Sequence, residues 1–77
     1  MIRDPYNSAV AEVLNELYKK NGSELAHLAE AVGASRMTIK RYLKGERDIR
    51  VAELRKISDA LGVAVADVLA EADRRVD

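Results

Sequence analysis

The sequence has no cysteine, no tryptophan, no phenylalanine, one proline and one histidine. Without cysteine there is no disulfide framework and no thiolate metal site. One histidine, His27, rules out a histidine-rich metal site, and its side chain is read as an ordinary exposed or partly buried one. No apolar run approaches the ~18 residues of a membrane span, and residues 1–5 have no signal-peptide character. The expected location is therefore the cytoplasm, with no membrane partner. A glycine-rich phosphate loop is absent. Ser23 and Ser35 have no base beside them and read as helix caps rather than nucleophiles. Glu12 and Glu16 stand four apart and read as like charges on a solvated face, not as an acid pair. An enzyme is not expected, nor a metal, a cofactor or a small-molecule ligand.

What is present is the balance of a folded globule, 48% hydrophobic and 34% charged. The 77 residues are enough for one small domain, residues 1–77. Four glycines divide it, each after a segment with helical apolar spacing, where a left-handed cap is expected. Asp4 and Pro5 read as the N-cap and first turn of helix one, with Tyr6, Val10, Val13, Leu14 and Leu17 on its inner face. Ser23 is placed as the cap of helix two, with Leu25, Leu28, Ala29 and Val32 inward. Ser35 caps helix three, with Ile39, Tyr42 and Leu43 inward. Val51, Leu54, Ile57 and Leu61 form the stripe of helix four, and Val65, Val68, Leu69 and Val76 that of helix five. The fold class is all-α, five helices on one core.

Formal net charge is zero, with 13 basic and 13 acidic residues, but the distribution is uneven. Residues 35–50 hold Arg36, Lys40, Arg41, Lys44, Arg47 and Arg50 against Glu46 and Asp48. The segments on either side carry a net negative charge or none. Local charge decides where a polyanion docks. On a helical wheel starting at Arg36, Lys40, Lys44, Met37 and Arg41 fall at roughly 40°, 80°, 100° and 140°. Four cations and a thioether therefore share one face, opposite Ile39 and Tyr42. No acidic residue stands between 35 and 45 to pair with them. An α-helix fits the major groove of B-DNA, arginine can bond guanine O6 and N7 together, and Met37 can pack on a thymine methyl. Lysines and loop arginines neutralise phosphates. Tyr6, Tyr18 and Tyr42 could stack on bases, but spacing turns Tyr6 and Tyr42 inward.

The run LAEAVGASRMTI at residues 28–39, the glycine at 45 and the Leu61, Gly62, Val63 run resemble the Cro/repressor (XRE-type) helix-turn-helix family. The likeness extends from residue 23 to residue 69, with the helix-turn-helix itself at about residues 23–44. It implies a lambda repressor-like DNA-binding domain in which helix three enters the major groove. Base-reading positions then fall on Arg36, Met37 and Arg41, with Lys40 also facing the groove. Phosphate contacts fall on Ser23 and Ser35, at the starts of helices two and three, and on Lys44, Arg47 and Arg50. Where the family often has Thr-Gln at the start of helix two, this chain has Glu24 and Leu25. Where it often has proline in the loop after helix three, this chain has Ile49.

Val65, Val68, Leu69 and Val76 either close the core or form a two-fold interface. The expected function is a sequence-specific double-stranded DNA-binding transcriptional regulator, a Cro-like or compact repressor. It would bind a pseudo-palindromic operator as a homodimer, in the nucleoid of a prokaryotic or phage-infected cell. The rival expectation is an antitoxin-like protein-interaction module, marked by an exposed apolar patch.

Overall fold

The computed structural model describes residues 4–76. These form five helices: α1 (Pro5–Lys20), α2 (Leu25–Val32), α3 (Arg36–Leu43), α4 (Val51–Leu61) and α5 (Val65–Val76). The all-α expectation is met helix for helix. Asp4 caps α1, its Oδ1 accepting the Tyr6 N–H at 2.9 Å, and Pro5 takes a first-turn position where a missing amide costs nothing. Ser35 caps α3, its Oγ accepting the Thr38 N–H at 3.1 Å. Such a cap is worth about 0.5–2 kcal/mol.

Each helix contributes one large, fully buried aliphatic side chain: Leu14, Leu28, Ile39, Ile57 and Val68. Each contributes about 1.5–3 kcal/mol through burial. Around them pack Val10, Val13, Tyr42, Leu43, Leu54 and Leu61. α5 lies chiefly along α1, and α2 packs on both α3 and α4. Two side-chain bonds fasten the frame. The Asn21 amide donates to the Leu61 carbonyl at 2.9 Å, joining the C-terminal ends of α1 and α4. Asn7 Oδ1 accepts the Ile49 N–H at 3.1 Å, holding the α3–α4 loop against α1. With that bond, this loop is fixed without proline.

Three expectations are corrected. Ser23 does not cap α2: Glu24 takes the N-cap position and makes no side-chain cap bond, and the Ser23 amide donates to Tyr18 O at 3.3 Å. Val51 leaves the α4 stripe, being 80% exposed at the helix start, one residue after the Arg50 N-cap. Val76 is 43% exposed at the end of α5, where the core has already been closed by Val68 and Ala72.

Candidate nucleic-acid interface

The turn before α3 is made by Gly33, at φ 78° and ψ 34°. Its N–H and that of Ala34 both reach the Ala29 carbonyl, at 2.9 and 3.0 Å. An L-residue held in this left-handed conformation costs about 1–2 kcal/mol, so glycine suits the turn. Ala29 is buried, and its small side chain lets the neighbouring helices approach.

α3 is divided lengthwise. Ile39, Tyr42 and Leu43 are buried, whereas Arg36, Met37, Lys40, Arg41 and Lys44 are exposed. Met37 is 56% exposed, which excludes it from the core and leaves its thioether on the cationic face. Among the described residues the ion pairs all involve Arg74 or Arg75. The α3 cations, with Arg47 and Arg50, therefore have no carboxylate partner there. Like charges held together without neutralisation repel one another, and an external anion relieves that repulsion.

The loop extends the charged surface. The Arg47 guanidinium sits 5.8 Å from the Tyr42 ring centroid, a cation–π distance that positions it beside α3. The Glu46 N–H donates to Arg41 O at 2.9 Å, continuing the α3 backbone into the loop. Arg50, the N-cap of α4, is exposed. Ser35 is exposed at the start of α3, with its hydroxyl 3.0 Å from that of Thr38. Ser23 is half-buried in the α1–α2 turn. Structure thus gathers Arg36, Met37, Lys40, Arg41 and Lys44 on one face, with Arg47 and Arg50 following.

The residues expected to serve a two-fold interface separate. Val68 is core, Val76 is exposed, and Val65 and Leu69 are half-buried. Val65 and Leu69 line an apolar groove of about 430 Å³ together with Tyr6, Ile49 and Val51. Asp4 and Asp48 stand at the same groove. Sequence periodicity missed Val51 here because a helix-start residue fits a wheel whether or not another helix covers it. Asn15 of α1 is absent from the sequence-derived set and Tyr18 entered it only as a base-stacking candidate; the fold brings both beside Lys40 and Lys44. Their three-residue spacing was the available signal. His27 is exposed on α2, and among the described residues no group of three or more His, Cys, Asp or Glu is placed to hold a metal.

Residues 14–68 match a family model described as helix-turn-helix. Among solved structures, the clp gene regulator ClgR from Corynebacterium glutamicum aligns with a TM-score of 0.84 at 29% identity, covering 94% of each chain. A second ClgR structure gives 0.84 at 30% identity, covering 91% of this chain and 74% of that one. The restriction-modification controller protein C.AhdI from Aeromonas hydrophila gives 0.72 at 21% identity, covering 80% of this chain and 94% of that one, a likeness of fold. A comparison with curated protein sequences finds no match. With most of its length inside the family model and the turn, core and α3 arranged as described, the chain belongs to the Cro/repressor-like (XRE-type) helix-turn-helix family.

Proposed function

We propose that this protein is a sequence-specific double-stranded DNA-binding transcriptional regulator, a single compact domain acting as a Cro-like repressor. The observation that carries the reading is the cationic face of α3, unpaired among the described residues and set opposite a buried face that fixes its orientation. Arg36, Met37 and Arg41, with Lys40, face the base edges. Lys44, Arg47 and Arg50 meet phosphates, as do the Ser35 end of α3 and residues 23–25 at the start of α2. The likeness to ClgR, a clp gene regulator, supports the regulatory reading.

The operator is pseudo-palindromic, because the working unit is a homodimer whose α3 helices read half-sites about 34 Å apart. The groove at Val51, Val65 and Leu69 supports this, since a second copy would cover apolar surface left open in one chain. No helix among the described residues is long and apolar enough to cross a membrane. We place the protein's action on the DNA of the cytoplasmic nucleoid, as the DNA-binding reading requires. The test is selection of the purified protein on a random duplex library at near-physiological salt. A recovered palindrome supports the reading. The same groove favours one second reading, an antitoxin-like module with another protein on that face, and a flat pool bound only through salt-sensitive contacts would favour it.

A further inference from the structure

Lys40 and Lys44 lie one turn apart on α3, and both border a notch of about 140 Å³ where α1, α2 and α3 meet. Its other walls are Asn15 and Tyr18 of α1, Leu25 at the start of α2, and Leu43. No carboxylate lines it. Asn15 is half-buried, and the Tyr18 ring packs against the core, so the fold sets both in place. Yet the neutral side chains that hydrogen-bond among the described residues are elsewhere: Tyr6, Asn7, Asn21, Ser35 and Thr38. Asn15 and Tyr18 take part in none of those bonds. A phenol O–H, a carboxamide NH₂ and two ammonium groups thus meet with unused donors. The Leu25 side chain offers no polar atom at the first residue of α2, so the side-chain donors for an anion here come from α1 and α3.

We infer that this notch holds one backbone phosphate of the bound duplex, with Tyr18 and Asn15 donating to its oxygens and Lys40 and Lys44 supplying the charge. The inference rests on the DNA-binding reading and moves Lys40 from base edges to backbone. It also completes a geometry. Arg47 sits over Tyr42 from the loop that follows α3, whereas Lys40 and Lys44 border the notch where α1, α2 and α3 meet. A helix seated in a groove has a phosphate strand on either side, and the two sets of contacts then flank α3.

The experiment is fluorescence anisotropy of wild type, Tyr18→Phe and Asn15→Ala. It uses the selected duplex and a scrambled one across a salt series, with thermal unfolding of each protein. A second set of duplexes carries a neutral methylphosphonate at one backbone position at a time. Tyr18→Phe is expected to weaken binding to both duplexes about five- to tenfold. Because no charge is removed, the salt slope stays the same, and Tm stays the same. At one methylphosphonate position the difference between wild type and Tyr18→Phe disappears. Wild-type binding matched by both variants overturns the inference and leaves the DNA-binding reading standing. Weaker binding that comes with a lower Tm and depends on no single phosphate assigns Tyr18 to packing and also overturns it. Wild type that retains neither duplex overturns the DNA-binding reading and the inference together.

Discussion

Arg75, near the end of α5, holds Glu16 of α1 with both terminal nitrogens, Nη1 to Oε2 at 2.7 Å and Nη2 to Oε1 at 2.9 Å. The same guanidinium donates through Nε to Glu71 at 3.2 Å and lies 3.5 Å from Glu12. Two carboxylates that repel along α1 thereby become an anchor for α5. A bidentate pair in a network is the kind of surface ion pair whose contribution survives side-chain entropy.

That anchor has an acid limit. The Glu16 carboxyl is held below its ordinary value of 4.5 chiefly by its hydrogen bond from Arg75, and Glu71 by hydrogen bonds from Arg74 and Arg75. Depressed carboxylate pKa values stabilise the fold above the unfolded value, and the effect is lost as pH falls through the folded one. Arg75→Gln should lower Tm at neutral pH. The gap to wild type should close between about pH 5 and pH 3, as measured by circular dichroism melts. A gap that stays constant through this range would show that Arg75 acts by packing.

Ser58 is fully buried on α4, and its hydroxyl has no hydrogen-bond partner among the described residues. An unsatisfied buried group costs about 1–3 kcal/mol. Ser58→Ala removes the hydroxyl without adding volume, and should raise unfolding stability by about 1 kcal/mol in urea titrations with an unchanged slope.

Gly45 ends α3 at φ 73°, and a Cβ there would stand 3.6 Å from Ala11 Cβ and 3.7 Å from Ser8 Cα. Those are ordinary contacts, so the backbone conformation decides the outcome. Gly45→Ala should destabilise by about 1–2 kcal/mol. Equal stability of the two proteins would mean that the loop relaxes out of the left-handed region.

On the proposed DNA face, two substitutions should behave differently. Arg41→Ala should cost about 1–3 kcal/mol on the selected operator and relax preference at one base pair. Lys44→Ala should weaken all duplexes alike and reduce the salt slope by about one. Competition binding over a series of salt concentrations separates the two.

Val51→Glu tests the groove. The residue is 80% exposed, so folding should be unaffected. Half-site occupancy by the variant should replace full-operator occupancy in sedimentation of the protein–DNA complex. Full occupancy by the variant would remove Val51 from the interface.

Helix number, the glycine ends and the two faces of α3 were legible because each follows from local spacing. Ile39 and Tyr42 declare their face by position, and Gly33 and Gly62 declare a turn by needing positive φ. What was illegible depends on partners distant in the chain. Arg75 is 59 residues from Glu16, and no pattern around either announces the pair. Asn7 reaches Ile49 across 42 residues, and Asn21 reaches Leu61 across 40. Val51 misled for the opposite reason: its spacing was right, but no other helix covers it. The candidate site was legible as a set of charges on one helix, whereas the placing of Asn15 and Tyr18 beside Lys40 and Lys44 required the packing of α1 against that helix.

The lengthwise division of α3 has a further consequence. Ile39, Tyr42 and Leu43 point one way, and Arg36, Met37, Lys40 and Arg41 the other, so none of these eight-residue-helix positions serves both the interior and the outer face. On the proposed reading, preference for a duplex and the ability to fold are inherited on separate letters of the same short segment. Rewriting Arg36, Met37 and Arg41 together would then give a protein with a new address on the chromosome and the same scaffold beneath it.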